Sequence, residues 1–398
     1  EHDEGYVDAY YGPPEWRAEV EAAPPSLEEL RADASSLLAR VRAVAVPAGA
    51  DELVRLRRDY LERQVEAVEA RIRMLGGERL TFDEESQALY DAVAPHYPDA
   101  HYDSIRARLD AIVPGTGPLA ERVGRFQSAF IIPPERLDTV FQAALAEARR
   151  RTRAHIELPA GESFRIEYVT GKPWAGYNWY QGDYQSLIQV NVDYPITIDR
   201  AVDLAAHEGY PGHHVYNVLL EKELVDGRGW VEYSVYPLYS PQSLIAEGTA
   251  NYGIQVAFPG AERETFERDV LFPLAGLAPA DASRYYEVLR LLEELSFARN
   301  EAARRYLDGE WTREQAAEWL TRHSVASLAG ARASFGFVDV YRSYVINYNW
   351  GQELVRRYIE RRVAEAAPPG ASAAELSELR WREFERLISS PRLPSGLR

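Results

Sequence analysis

A chain of 398 residues with 46% hydrophobic content can bury a large core, as one big domain or two closely packed ones. Its net charge of −17 argues against nucleic acid or an anionic membrane surface as partner, and no apolar run approaches the ~20 residues needed to span a bilayer. The lack of cysteine excludes disulfides, thiolate metal sites and thiol nucleophiles. It leaves the compartment open: the cytoplasm is the default, and export fits if a leader was removed ahead of Glu1, where the sequence begins without Met.

Residues 1–158 read as helices with short breaks. Ser26-x-x-Glu29 is a capping box for a helix to about Val44, and Asp51 opens a longer one that stops at Gly76-Gly77. In the latter, Leu53, Leu56, Tyr60, Val65, Val68, Ile72 and Leu75 form one apolar stripe. Thr81-x-x-Glu84 starts another helix, and Pro133-Pro134 a long one ending near His155. This region is expected to be a helical wall packed on residues 159–398, which hold the chemistry.

The period then changes. Residues 163–169 alternate, and 184–192 are rich in β-formers, which predicts a small antiparallel sheet. The aromatic stretch between them, Trp174 to Tyr180, reads as a loop that packs or lines a pocket. Helical patterns return on either side of His207-Glu208-Gly209-Tyr210-Pro211-Gly212-His213-His214, which holds three of the eight histidines. A His followed at once by Glu on a buried helix opens the zinc-protease motif, in which a second His one turn on completes the pair of imidazole ligands. Here Pro211 stands at that position. In an unbroken helix His214 would lie about 10.5 Å from His207, so the Pro-Gly step must widen or break the helix if the two regions are to share a metal. His213 needs less rewinding than His214, and both stay candidates. The bland alternative is three packing histidines.

Further on, Glu247 is a lone carboxylate in an apolar helix, costly to bury unless paired or bound to metal. A long helix is predicted from Asp281 to Tyr306 and another after the Thr312-x-x-Gln315 cap. Tyr344 and Tyr348 stand four apart, on one helical face. Ser372-x-x-Glu375 caps a last helix, and the Pro-rich tail after it is expected to fray. The whole reads as mainly α, a large helical fold with a small sheet beside a cleft.

HExxPGHH followed by Glu247-Gly248-Thr249-Ala250-Asn251-Tyr252 and by Gly351-Gln352 resembles the bacterial family called "domain of unknown function 885", helical zinc metallopeptidase-like proteins related to the gluzincins. The N-terminal Asp8-Ala9-Tyr10-Tyr11-Gly12-Pro13 is similar as well. Thr249 and Asn251 depart from the usual Trp and Leu, and a His that often follows Asp-Thr-Gly-Leu in the family is missing near Asp308. The resemblance implies one zinc ion held by His207, His213 or His214, and Glu247. It implies Glu208 as general base, with Tyr344 or Tyr348 holding the oxyanion. The sheet edge would pair with the substrate backbone, with Gln189, Asn191 and Gln352 as substrate-binding candidates. The expected activity is hydrolysis of short peptides, as an oligopeptidase or carboxypeptidase. The rivals are a metal-dependent amidohydrolase on a non-peptide amide and a catalytically silent zinc- or peptide-binding protein.

Overall fold

The computed structural model describes residues 2–172 and 174–398 and is mainly α. The N-terminal region holds α1 (Pro14–Ala22), α2 (Leu27–Arg42), α3 (Glu52–Leu75), α4 (Phe82–Tyr90), α5 (Asp99–Ile112), α6 (Leu119–Ser128) and α7 (Pro134–Arg153). Ser26 and Thr81 form the reciprocal capping boxes that their spacing predicts, and Tyr60, Val65 and Ile72 of the α3 stripe are buried. One hydrophobic cluster runs from Ala9 to Leu397 and draws side chains from both sides of residue 158. No helix among the described residues is long and apolar enough to cross a membrane.

Strand β1 (Val7–Tyr10) crosses the molecule to pair antiparallel with β5 (Val235–Pro237). The second sheet holds β2 (Ser163–Val169), β3 (Gly176–Gly182) and β4 (Gln185–Asn191) in the order β2-β4-β3. It is mixed, and this corrects the expectation of a purely antiparallel sheet: β2 runs parallel to β4, while β3 pairs antiparallel with it. The reason is that the aromatic stretch read as a loop is itself a strand. Residues Asp183 and Tyr184 form a two-residue turn with φ of 53° and 59°, the positive-φ pair of a type I′ hairpin. The buried Glu221 carboxylate accepts hydrogen bonds from both turn amides, at 3.0 and 3.2 Å, and holds this turn without the usual Asn-Gly.

The metal-motif segment follows. Helix α8 (Ile198–Leu204) widens into a π-helical turn over Ala205–Gly209, breaks, and restarts as α9 (His213–Leu220). Next come α10 (Pro241–Ala257), α11 (Ala261–Phe266) and α12 (Phe272–Ala275). The helix expected from Asp281 to Tyr306 is divided by a 3-10 turn at Leu295–Phe297 into α13 (Ala282–Glu294) and α14 (Ala298–Leu307). After α15 (Arg313–Ser324) and α16 (Leu328–Tyr341) the chain enters α17 (Ile346–Ala366) and α18 (Ala373–Ile388). The tail is not frayed: Leu393, Pro394 and Leu397 are buried, and Arg361 donates to the Leu397 carbonyl at 3.1 Å. Its apolar side chains complete the core.

Two contacts position the site. A Cβ on Gly248 of α10 would lie 2.6 Å from the backbone of Gly351, and one on Gly351 of α17 would lie 2.9 Å from the Leu244 carbonyl. The two helices therefore pack backbone against backbone, which only glycine permits. The sheet is tied to α9 by Glu162, whose fully buried side chain accepts from Arg149 at 3.0 Å, Arg153 at 3.1 Å and Tyr210 at 2.6 Å, and bonds His214 Nε2 at 3.0 Å. Burial pushes the Glu162 carboxyl up, but its bonds to His214, Tyr210 and Arg149 outweigh this and bring it down to about 2.

Gly248→Ala should lose about 2–3 kcal/mol of stability by overpacking the helix contact. Gly124→Ala, mid-helix in α6 with nothing within 4 Å of the new methyl, should gain about 0.5–1 kcal/mol. Thermal melts of the two variants test both signs. For Glu162 the folded-state pKa lies below the ordinary 4.5, so its stabilisation is complete above that pH and fades as pH falls toward 2. Glu162→Gln should cost about 3 kcal/mol at pH 7, with the gap from wild type closing in acid. A pH-independent gap would refute the ion-pair account.

Candidate metal centre

The break between α8 and α9 returns His213 to His207. The Gly212 amide donates to the Ala206 carbonyl at 2.9 Å, and a Cβ on Gly212 would sit 1.9 Å from the His207 carbonyl oxygen. Any side chain at 212 would prevent this fold-back. Its result is that His207 Nε2 and His213 Nε2 lie 3.1 Å apart, with the rings edge to face.

Glu247 completes the triangle from α10. Its Oε2 is 3.3 Å from His207 Nε2 and 3.7 Å from His213 Nε2. Three ligands at about 2.0–2.2 Å around a tetrahedral ion lie roughly 3.3–3.5 Å apart, so the observed edges fit a zinc-sized cation. The chemistry of the donors fits as well: Glu247 Oε2 is buried and has no hydrogen-bond partner among the described residues. Burial raises the Glu247 pKa, but the two imidazoles reverse this and hold its carboxyl well below the usual range.

The ligands are oriented from behind. His207 Nδ1 faces Asn251 Oδ1 at 3.0 Å, and Asn251 Nδ2 donates to the Tyr348 carbonyl at 3.1 Å. The amide is thereby fixed with its oxygen toward the ring, so His207 carries its proton on Nδ1 and offers the Nε2 lone pair. Tyr344 Oη donates to Glu247 Oε1 at 2.9 Å and leaves Oε2 for a metal. Asn251 and Gly351 are the two positioning features that residue patterns alone do not explain.

Glu208 stands beside this triangle. Its carboxylate lies within 4.8 Å of the ligand atoms of His207 and His213. It is buried, and burial, reinforced by the charge of Glu247 and opposed by that of His213, pushes its pKa up to about 7. The edge strand β3 lies against it: Asn178 donates to the Glu208 carbonyl at 2.8 Å, and a Cβ on Gly176 would be 2.8 Å from Glu208 Oε1. Asp8, delivered by β1, accepts from the Tyr177 hydroxyl and feels the charges of His213 and Glu247; burial raises its pKa to about 6. The signal for Asp8 was its place in the N-terminal motif, and for Tyr177 its place in the aromatic stretch from Trp174 to Tyr180.

Several candidates stand elsewhere. His214 is fully buried with both ring nitrogens taken, Nε2 by Glu162 and Nδ1 by Ser186 at 2.9 Å, so it faces the sheet and leaves His213 as the partner of His207. Gln189 and Asn191 lie on β4, the central strand, where neither sits at an edge. Gln189 accepts from Trp179 Nε1 and donates to Glu167, both at 3.1 Å. Asn191 is buried and holds the preceding loop through the carbonyls of Lys172 and Trp174, each at 3.0 Å. Gln352 donates to Glu293 at 2.8 Å and links α17 to α13. The tyrosine pair divides: Tyr344 is engaged by Glu247, whereas the Tyr348 hydroxyl makes no hydrogen bond among the described residues. Burial and the charges of Glu247 and Glu208 hold its proton firmly on.

No family model matches the chain, and no curated protein matches it. Among solved structures it is similar to "the putative lipoprotein from Colwellia psychrerythraea", with 15% identity, a TM-score of 0.52, and 89% of this chain covered. It is also similar to "a putative lipoprotein of unknown function from Shewanella oneidensis" (14% identity, TM-score 0.47, 91% of this chain and 72% of that one). A third structure, described as "CHT", has 11% identity and a TM-score of 0.46 over 94% of this chain and 75% of that one. The chain spans 65% of the length of the Colwellia protein, and what the likeness to that protein establishes is a shared fold.

Proposed function

We propose that the chain is a zinc-dependent hydrolase that cleaves peptide bonds of short peptides. The observation that carries this reading is the buried, unpartnered Glu247 Oε2 facing two imidazole nitrogens, with a second buried carboxyl, Glu208, beside them. Buried carboxyl groups do not cluster without a cation or a proton to offset the charge. The ligand set, two His and one Glu, is that of catalytic zinc peptidases, which keep a fourth position open.

A divalent cation held by His207, His213 and Glu247 supplies Lewis acidity, polarising the scissile carbonyl and making water acidic enough to attack near neutral pH. The remaining work belongs to the chain. Glu208 takes the proton of the attacking water as the carbon–oxygen bond forms, then delivers it to the amine as the carbon–nitrogen bond breaks. Tyr348, with a free hydroxyl near Glu247 and Glu208, donates to the developing oxyanion. Tyr344 and Asn251 keep the ligands in place, and the free edge of β3 offers backbone groups to an extended substrate.

Protein purified without chelator should carry about one zinc ion per chain, the stoichiometry of a single three-ligand set. His207→Ala and Glu247→Ala should each lose it, as read by plasma mass spectrometry. Wild-type protein that neither holds zinc nor takes it up refutes the proposal. Glu208→Gln should keep the metal while hydrolysis of a short peptide library falls by roughly 10²–10⁴-fold, the usual contribution of a general base. Undiminished turnover would remove Glu208 from that role.

A further inference from the structure

Arg299, near the start of α14, is one of several unpaired basic residues in a chain in which acids outnumber bases 62 to 45. Its neighbours on the same helix are held: Arg304 pairs with Asp83 and Glu301, and Arg305 with Glu301. Arg299 has no ion pair and no hydrogen bond among the described residues. It lines a recess of about 190 Å³ whose other walls include Leu292, Leu295, Leu320, Ala331 and Ser334 from α13, α15, α16 and the turn between α13 and α14. The guanidinium reaches solvent, yet the surrounding protein removes enough water to lower its pKa, with the nearby Tyr348 acting in the other direction.

The helix start that carries Arg299 is fastened to α17, the helix of Tyr348. Asn300 and Asn349 exchange hydrogen bonds, at 2.8 and 3.3 Å, and so lock the start of α14 to α17. Arg299 precedes one of these residues and Tyr348 the other, and the Arg299 charge is felt at Tyr348, which also feels Glu247 and Glu208. A guanidinium without a carboxylate of its own, at the helix start that Asn300 fastens to α17, can take an anion from solvent. The leucine walls below it suit one apolar side chain.

We propose that Arg299 binds the C-terminal carboxylate of the substrate and that the leucine-lined recess takes its terminal side chain, so that the hydrolase acts as a carboxypeptidase on peptides ending in an apolar residue. This rests on the hydrolase reading and narrows it. Arginine presents a planar fork that matches a carboxylate, and a charge-assisted pair of hydrogen bonds confers both affinity and register. The register decides the product, because the bond presented to Glu208 is then set by distance from the chain end.

The test compares N-blocked peptides ending in leucine as the free acid and as the carboxamide. With wild-type, metal-loaded protein, kcat/KM for the acid should exceed that for the amide by about 10- to 100-fold, the range of a hydrogen-bonded charge pair. Arg299→Gln should collapse this ratio toward one, and Arg299→Lys should restore part of it. Ala326→Phe, which fills the recess, should penalise peptides ending in leucine relative to those ending in glycine. Equal cleavage of acid and amide by the wild type overturns the anion site while leaving the hydrolase intact, as does a ratio unchanged in Arg299→Gln. Calorimetric binding to Glu208→Gln protein separates the two ideas further. An acid-over-amide preference that vanishes in the Glu208→Gln/Arg299→Gln double variant upholds the anion site even if no peptide is cut. Binding that ignores the terminus rejects it.

Discussion

The contact of Gly212 with the carbonyls of Ala206 and His207 is the constraint on which the site depends. Two histidines six residues apart on a regular helix point in different directions, and no rotamer change brings them together. The π-helical turn at Ala205–Gly209 first shifts the register by the added residue, and the break at Tyr210–Gly212 then lets the chain restart beside its own preceding turn. Because the Gly212 Cα packs against backbone rather than a flexible side chain, nothing can move aside for a substituent. The pair of imidazoles, 3.1 Å apart, is thus a consequence of backbone geometry.

A second glycine contact serves the third ligand. Glu247 belongs to α10, Tyr344 to the turn before α17, and the Tyr348 carbonyl that orients Asn251 to α17 itself. All three relations need the two helix axes closer than ordinary side chains allow, and Gly248 against Gly351 provides that spacing. The glycine beside the ligand and the glycine of the Gly-Gln pair are therefore one structural device seen twice. Asn251 also acquires a meaning, since an apolar side chain there would leave His207 Nδ1 without the acceptor it has here.

What was legible in the residues follows the range of the interaction. Capping boxes at Ser26, Thr81, Thr312 and Ser372 are local, and the helices begin where these predict. The His207, Glu208 and Glu247 set was legible because a carboxylate in an apolar helix is too costly to bury without a cation or a partner. The fate of His214 was not, because it depends on Glu162, 52 residues away in sequence. The β3 strand was missed because its turn uses Asp183 and Tyr184, which carry no hairpin signature and rely on a distant Glu221. Asp8 arrives through a pairing between the N-terminus and residues 235–237, which no local pattern encodes.

The arrangement of charge around the centre makes its own case for a cation. Three acidic groups, Glu247, Glu208 and Asp8, converge on two imidazoles, and burial raises the carboxyl pKa of the latter two. In a dry site such a cluster repels itself, and each added negative charge raises the cost of the next. A divalent ion reverses the sign of that balance: it neutralises Glu247 directly and lowers the penalty on its neighbours. The Tyr348 hydroxyl and the Arg299 guanidinium make no hydrogen bond among the described residues and are free to meet negative charge that a substrate brings. A site built only for stability would pair them internally, as this chain does with Arg304, Arg305 and Tyr344.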